Sequence, residues 1–487
     1  MAKVYAVEVA DGHGGRAQGA AQLGGDAVAS RNDMHSLRDT GKGRLRQLTK
    51  HNAISTSAAL SLLIAAMTGV PRGRDWPTLD AALFAAALAI YALGVPLGLA
   101  RVEAARQVAA GLALDTSTEP ATYGLLAMRL AGFLPLGDQP LRANLASALL
   151  GAFVAMLFGR LCVQVLVLLR PAANARQETR DFLHEPIAAS AAALAGALSL
   201  STFELGTTAG SAAATLLLLA LGLLVGLALL RDCASAAAGW ALAAVAGLSA
   251  GVDAVAGPLL WPLLVGLGIW ALRKGARWPL LAPLCFVAAW GGSALAAVAC
   301  SATPARLGSL FSGLGRLDAH AGAGLWATAV ELGDEVGVVG ALLALIGMVV
   351  LGARAALLAA WLLLTLLSAM MFAHPAASVG PARAALPVAI AVGFVFASAG
   401  LLHVAGRLGR ARMAATVALA VMLVLTPAMD GGRTRWLRHA ALPTHLLDHA
   451  LDRAEIRSVV DPGTGEMDGL FRLARAMGLR PDLVIGK

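Results

Sequence analysis

Three carboxylates and two guanidiniums crowd the stretch "LARVEAARQVAAGLALDTSTE" (99–119): Glu103, Asp115 and Glu119, with Arg101 and Arg106 among them. A carboxylate beside a guanidinium can move a group onto a hydroxyl or amide. The anion takes a proton from the acceptor, and the cation holds charge on a leaving phosphate. Helical spacing would place Arg106 and Gln107 at i+3 and i+4 from Glu103. The same residues therefore fit a plain interfacial helix on which Glu103 pairs with Arg101 or Arg106. Asp115 and Glu119 bracket Thr116, Ser117 and Thr118, a pattern that equally caps a helix starting near Pro120.

More polar candidates stand where apolar runs begin or end. Arg142 and Asn144 open one run, Glu204 lies in "STFELGTT", and Arg383 precedes another run in "GPARAALP". An arginine at a bilayer edge either binds lipid phosphate or snorkels to the interface. Asp253 marks a tight turn, a natural place for Asp. Glu331, Asp334 and Glu335 read as a charge cluster at a helix start. The cysteines Cys162, Cys233, Cys285 and Cys300 form no CxxC, and no DxD-like cation motif is present, so neither a metal nor a cofactor is expected.

The elements that must carry these groups are helices in a membrane. The chain has 487 residues, of which 58% are hydrophobic and only 14% charged, and its mean hydropathy is +0.73; soluble domains carry about 25% charged residues. The apolar runs are continuous and rich in Ala and Leu, which excludes alternating barrel strands. At roughly 20 residues per crossing about eleven transmembrane helices are expected: 82–100, 143–169, 186–202, 208–230, 235–251, 255–272, 279–301, 336–352, 355–373, 385–405 and 413–429. Alternating crossings then put "RPAANARQETR", "RDC", "RKGAR", Arg354 and "GRLGRAR" on one side. That side holds nearly all the clustered arginine between spans, as the positive-inside rule requires. The net charge of +9 is thus orientation information, and nucleic acid is not an expected partner. No inverted repeat and no matching pair of broken helices is legible, which argues against a secondary transporter.

Four regions follow: residues 1–52, Gly-, Ala- and Arg-rich without periodicity and expected to be disordered; an apolar interfacial segment and linker over 53–81; the membrane domain, 82–430; and a tail, 431–487. The tail reads helix, strand ("IRSVVDP"), helix, strand ("LVIG"), a small α/β lobe outside the membrane.

Several pieces resemble a bacterial family of multi-pass proteins related to the transmembrane protein 260 type of protein O-mannosyltransferase, among the type C membrane glycosyltransferases. They are Pro96, "VEAARQVAAGLAL", "FLPLGDQPLRANLASALLGA", "LSLSTFELGTTAGSAAATLLLLAL", "GLSAGVDAVAGPLLWPLL", "HPAASVGPARAALPVAIAVGF" and "GLRPDLVI", in that order. The resemblance implies a type C fold in the bacterial inner membrane. It implies transfer of a mannose-like sugar from a polyprenyl-phosphate donor to a protein or glycan acceptor, on the outer side. It implies Glu103 as catalytic base, with Arg101, Asp115, Glu119, Arg142, Asn144, Glu204 and Arg383 around donor, acceptor and membrane lipid. The chain departs from the family pattern at three places. The Asp of Asp-x-x-Glu is Ala100, His-Pro-Pro-Gly is replaced by "TSTEPATYG", and Asn-His becomes Val252-Asp253. These changes leave open a catalytically degenerate scaffold or lipid-binding subunit.

Overall fold

The computed structural model describes residues 77–96, 108, 109, 112, 122–137, 139–169, 184–210, 212–252, 256–300, 321–373, 385–429, 458–460 and 484–486. The helices are α1 (Pro77–Gly94), α2 (Thr122–Ala131), α3 (Gln139–Leu168), α4 (His184–Leu198), α5 (Leu200–Thr207), α6 (Ala212–Arg231) and α7 (Ala236–Val252). They continue with α8 (Ala256–Arg273), α9 (Trp278–Cys300), α10 (Ala321–Arg354), α11 (Ala356–Phe372), α12 (Ala385–Arg407) and α13 (Arg412–Ala428). A single 3-10 turn, Gly409–Ala411, links the last two. Each apolar run expected to cross holds a helix among the described residues. Four helices, α3, α6, α10 from Leu325 and α12, are long and apolar enough to do so alone, and α4 with α5 makes a fifth if the bent pair is one span. The protein is an α-helical membrane protein.

Side-chain contacts between helix ends sort the bundle into two faces. At one end Arg231 Nη2 donates to Gln164 O (2.7 Å) and Trp278 Nε1 to Cys233 O (2.9 Å). Here too Arg160 Nε meets Asp80 Oδ2 at 2.6 Å, so the arginine inside the third helix has its counter-ion. His184 Nδ1 lies 3.0 Å from Thr416 Oγ1. The Thr416 hydroxyl donates to Arg412 O, so the imidazole is the donor in that pair. At the other end Asn144 joins the exits of α1 and α5, and Thr328 Oγ1 donates to Ala373 O (2.6 Å). These are the pairings of helices that run alternately up and down.

The core is held by close backbone approach. Lipid tails are as apolar as leucine, so helices associate in a bilayer through packing of small residues. The most extensive contact of any described pair is between α10 and α12. There a Cβ on Gly347 would lie 1.8 Å from Phe396 O, and one on Gly400 2.0 Å from Leu343 O. The second most extensive pair, α7 and α9, repeats the device, with Gly247 against Phe286 O. Tyr91 of α1, fully buried, is gripped between Gly151 of α3 and Gly206 of α5. Helix α12 is buried along nearly its whole length and is the centre of the bundle.

The span expected over 186–202 is interrupted, and helix α10 starts at Ala321, inside the stretch 302–335 expected to be a loop, with a break at Gly337 close to the expected start at 336. Between α4 and α5 the chain turns by 69° at Ser199, whose φ of −59° and ψ of 145° are not helical. Within α10, Gly337 has φ 70° and ψ 165°, a conformation that only glycine adopts without strain. A Pro does not mark either break, which is why the pattern of apolar residues passes over both.

Beyond the bundle, β1 (Ser458–Val460) pairs in parallel with β2 (Val484–Gly486), Ser458 opposite Val484. A parallel pair needs a crossover of about a dozen residues or more, and the segment between the strands is long enough. Both strands fall in the two stretches expected from sequence.

Replacing Gly347 with Ala should force α10 and α12 apart. The expected cost is the upper end of about 1–3 kcal/mol for overpacking, read as a lower melting midpoint in detergent. Gly266 has nothing within 4 Å of its would-be Cβ, so Gly266→Ala should melt no lower than wild type. Equal losses from the two changes would refute the close-crossing account.

Candidate outer-face site

Buried polar side chains gather at the end of the bundle where α1 exits and α3 begins. Three constructions hold them, each the answer to a local problem of the chain.

The first is the break at Ser199. A helix start leaves backbone N–H groups without intrahelical acceptors, and inside a membrane no water replaces them. Ser199 precedes α5 but its side chain caps nothing; its hydroxyl reaches Gly196 O (2.8 Å) and Thr202 Oγ1 (2.9 Å) instead. The cap arrives from another helix. Glu335 of α10 accepts the Ser201 backbone N–H on both oxygens, at 3.0 and 3.2 Å, and the Ser201 hydroxyl donates to Oε1. Glu335 is 7% exposed, so its carboxyl group faces the positive end of α5, with Ser199 and Glu331 also within reach. The break at Gly337 lies two residues further on.

Next comes Asn144, with no exposed surface. Its Nδ2 donates to Pro96 O at 3.1 Å, and its Oδ1 accepts the Ala209 N–H at 2.7 Å. A side-chain amide can serve a carbonyl and an N–H together. One side chain thereby ties the exit of α1, the entry of α3 and the link from α5 to α6.

Arg142 builds the third. Its Nε, Nη1 and Nη2 donate to Leu136 O (2.8 Å), Gly132 O (2.8 Å) and Gly137 O (2.9 Å). These carbonyls belong to the turn between α2 and α3, where Gly137 takes φ 50°. The fork of donors on one rigid guanidinium suits three carbonyls converging from a curled loop. Arg129 fastens the other flank by donating to Leu112 O.

The sequence-derived site is thus only partly visible. Arg142 and Asn144 lie at the same end of α3, each as a structural tie to backbone. Glu204 lies half-buried on α5 one turn after Ser201, and its carbonyl accepts the Thr208 N–H and hydroxyl. Glu103, Arg101, Asp115, Glu119 and Arg383 lie outside the described residues, as does Asp253. Beneath the break, a small apolar void lined by Phe158, Cys162, Gly196, Thr202 and Pro387 has room for no more than a water. No group of three or more His, Cys, Asp or Glu able to hold a metal ion occurs among the described residues.

Sequence reasoning assigned Glu335 to a cluster at a helix start; the structure places it two residues before the break at Gly337, on the packed side of the helical stretch that leads into it. The signal was available. Thr328, Leu332, Glu335, Val336 and Leu343 recur at helical spacing along the face of α10 that meets the bundle. No family model, no curated protein and no solved structure matches the chain.

Glu335→Ala should strand the Ser201 N–H in a buried site at about 1–3 kcal/mol, lowering the melting midpoint. Glu335→Gln keeps an acceptor and should lose less. If the alanine variant melts no lower than the glutamine variant, the carboxylate does not hold α5.

Proposed function

We propose that this chain is a type C membrane glycosyltransferase with eleven crossings, moving a mannose-like sugar from a polyprenyl phosphate to a protein or glycan outside the bacterial inner membrane. The eleven crossings are the four long helices, the bent pair α4–α5, and the shorter apolar helices α1, α7, α8, α9, α11 and α13. The basic connections all fall at one end of that arrangement, the cytoplasmic end by the positive-inside rule. The observation that carries the reading is the polar outer end. Asn144, the hydroxyls of α5 and Glu335 concentrate where the chain leaves α1 for the segment bearing Glu103, and the resemblance puts the acceptor and lipid-borne donor on that same side.

The chemistry needs few parts. Glu103 accepts the proton of an acceptor hydroxyl as its oxygen bonds to the anomeric carbon. The bond from that carbon to the phosphate oxygen breaks, and the phosphate leaves with the electron pair, steadied by Arg101. Asp115 and Glu119 would orient the acceptor, and Arg383 the donor. No metal is invoked, because a lipid-anchored phosphate can be held by guanidiniums.

A second reading, a non-catalytic scaffold or lipid-binding subunit, is favoured by one observation: Arg142 and Asn144 are already engaged with backbone partners. A transporter is not favoured by the two helix breaks. Glu335 is nineteen residues from Arg354, roughly 28 Å at 1.5 Å per residue, so the breaks lie near one membrane edge. Transporter sites lie near the mid-plane.

Membranes containing the protein are expected to transfer labelled sugar from a polyprenyl-phosphate donor, with Glu103→Gln lowering the rate by at least about a hundredfold. Transfer that survives that change removes Glu103 as base, and absence of transfer with every polyprenyl donor favours the scaffold. A membrane-impermeant maleimide should reach a cysteine placed at residue 101 in intact cells and reach Cys233 only after permeabilisation. The opposite pattern would exclude the transferase, because acids facing the cytosol cannot meet the outer-face acceptor.

A further inference from the structure

At the opposite, basic end of the bundle, α10 and α12 finish side by side. Both run from the outer to the inner face, since α11 returns between them, so they are parallel neighbours. Gly340, Gly347 and Arg354 recur every seven residues on α10, and Gly393, Gly400 and Arg407 do so on α12. A seven-residue step returns to the same helix face with a drift of only about 20°. Gly347 and Gly400 touch backbone to backbone. Arg354 and Arg407 therefore leave the two helices at the same level, two turns below the closest point of the bundle. They emerge on neighbouring faces that cannot slide apart without breaking that contact.

A third N–H donor joins them. His403 stands one turn above Arg407 on α12 and feels the charge of both Arg407 and Arg354. Arg354 and Arg407 are exposed and His403 is half-exposed. None of the three has a carboxylate partner among the described residues, whereas Arg160, deeper in the same end, is paired with Asp80. Like charges fixed at close range repel, and the fold holds the two arginines together with no anion beside them among the described residues. Exposed Ile346 and Val349 lie one to two turns above Arg354 on the surface that faces lipid.

We infer that Arg354, Arg407 and His403 form a binding site for a phosphate group, specifically the headgroup of an anionic phospholipid in the inner leaflet. The guanidiniums offer fork-shaped donors to the phosphate oxygens, and the imidazole adds a third donor direction. The negative surface of the cytoplasmic leaflet supplies the ligand, and its acyl chains lie along the apolar surface of α10. This site does not depend on the transferase reading, because it is at the other face and involves none of those residues.

The test is lipid binding to the full-length protein purified in detergent, read by native mass spectrometry and by melting midpoint. Phosphatidylglycerol should bind and raise the midpoint, and phosphatidylcholine should do neither. Arg354→Gln and Arg407→Gln should each weaken phosphatidylglycerol binding roughly tenfold, and the double variant about a hundredfold. Arg273→Gln, which removes another exposed arginine of the same face, should leave binding unchanged. Both positions are exposed, so the variants should fold, and their midpoints without lipid check that. Equal loss from Arg273→Gln, or full binding by the double variant, would overturn the site in favour of diffuse surface charge. An equal midpoint shift from inorganic phosphate alone would overturn the lipid assignment.

Discussion

A helix cannot be broken inside a bilayer unless other groups take over the backbone donors that the break exposes. The contact between Glu335 and Ser201 meets that requirement, and much of the outer half of this protein depends on it. With the carboxylate in place, α5 can lie at 69° to α4. Its hydroxyl-bearing face then turns toward the bundle, and the link to α6 passes close enough for Asn144 to hold it. Without the carboxylate, the start of α5 would present buried N–H groups to hydrocarbon, and a straight helix would be the cheaper structure. The break in α10 at Gly337 lies two residues from the side chain that repairs the other.

Glycine does for the interior what the carboxylate does for the break. The chain is rich in Ala, Leu and Gly and poor in aromatics, so it cannot fill wide gaps between helices with large side chains. It closes the gaps by bringing backbones into contact, at Gly347 with Gly400 and at Gly247 with Phe286. Where a ring is buried, as at Tyr91, glycines on two neighbouring helices make the slot. The outward faces keep Leu, Val and Ile exposed, as lipid-facing surfaces require.

The two ends of the bundle differ in what their polar groups do. Outer-end side chains are engaged with backbone: three carbonyls on Arg142, a carbonyl and an N–H on Asn144, an N–H on Glu335. They shape a loop, a link and a helix start. Arg354 and Arg407 at the opposite end contact no such partner among the described residues and stand at matching positions on two locked helices. That contrast separates groups that build the fold from groups positioned to meet something outside it.

The helical class, the presence of the apolar helices and the short strands of the tail were legible in sequence, because each follows from local composition and period. The roles of Arg142 and Asn144 were not, since nothing in their spacing tells that carbonyls of a turn, or a link sixty-odd residues away, will curl within reach. Nor was the break at Ser199, where apolar residues continue on both sides and no proline intervenes. Glu335 carried a faint sign in the helical spacing of Thr328 and Leu332, but its partner belongs to a helix far off in sequence. Local order is written residue by residue, whereas a buried polar group is decided by which distant helix arrives beside it, and only the packed structure determines that.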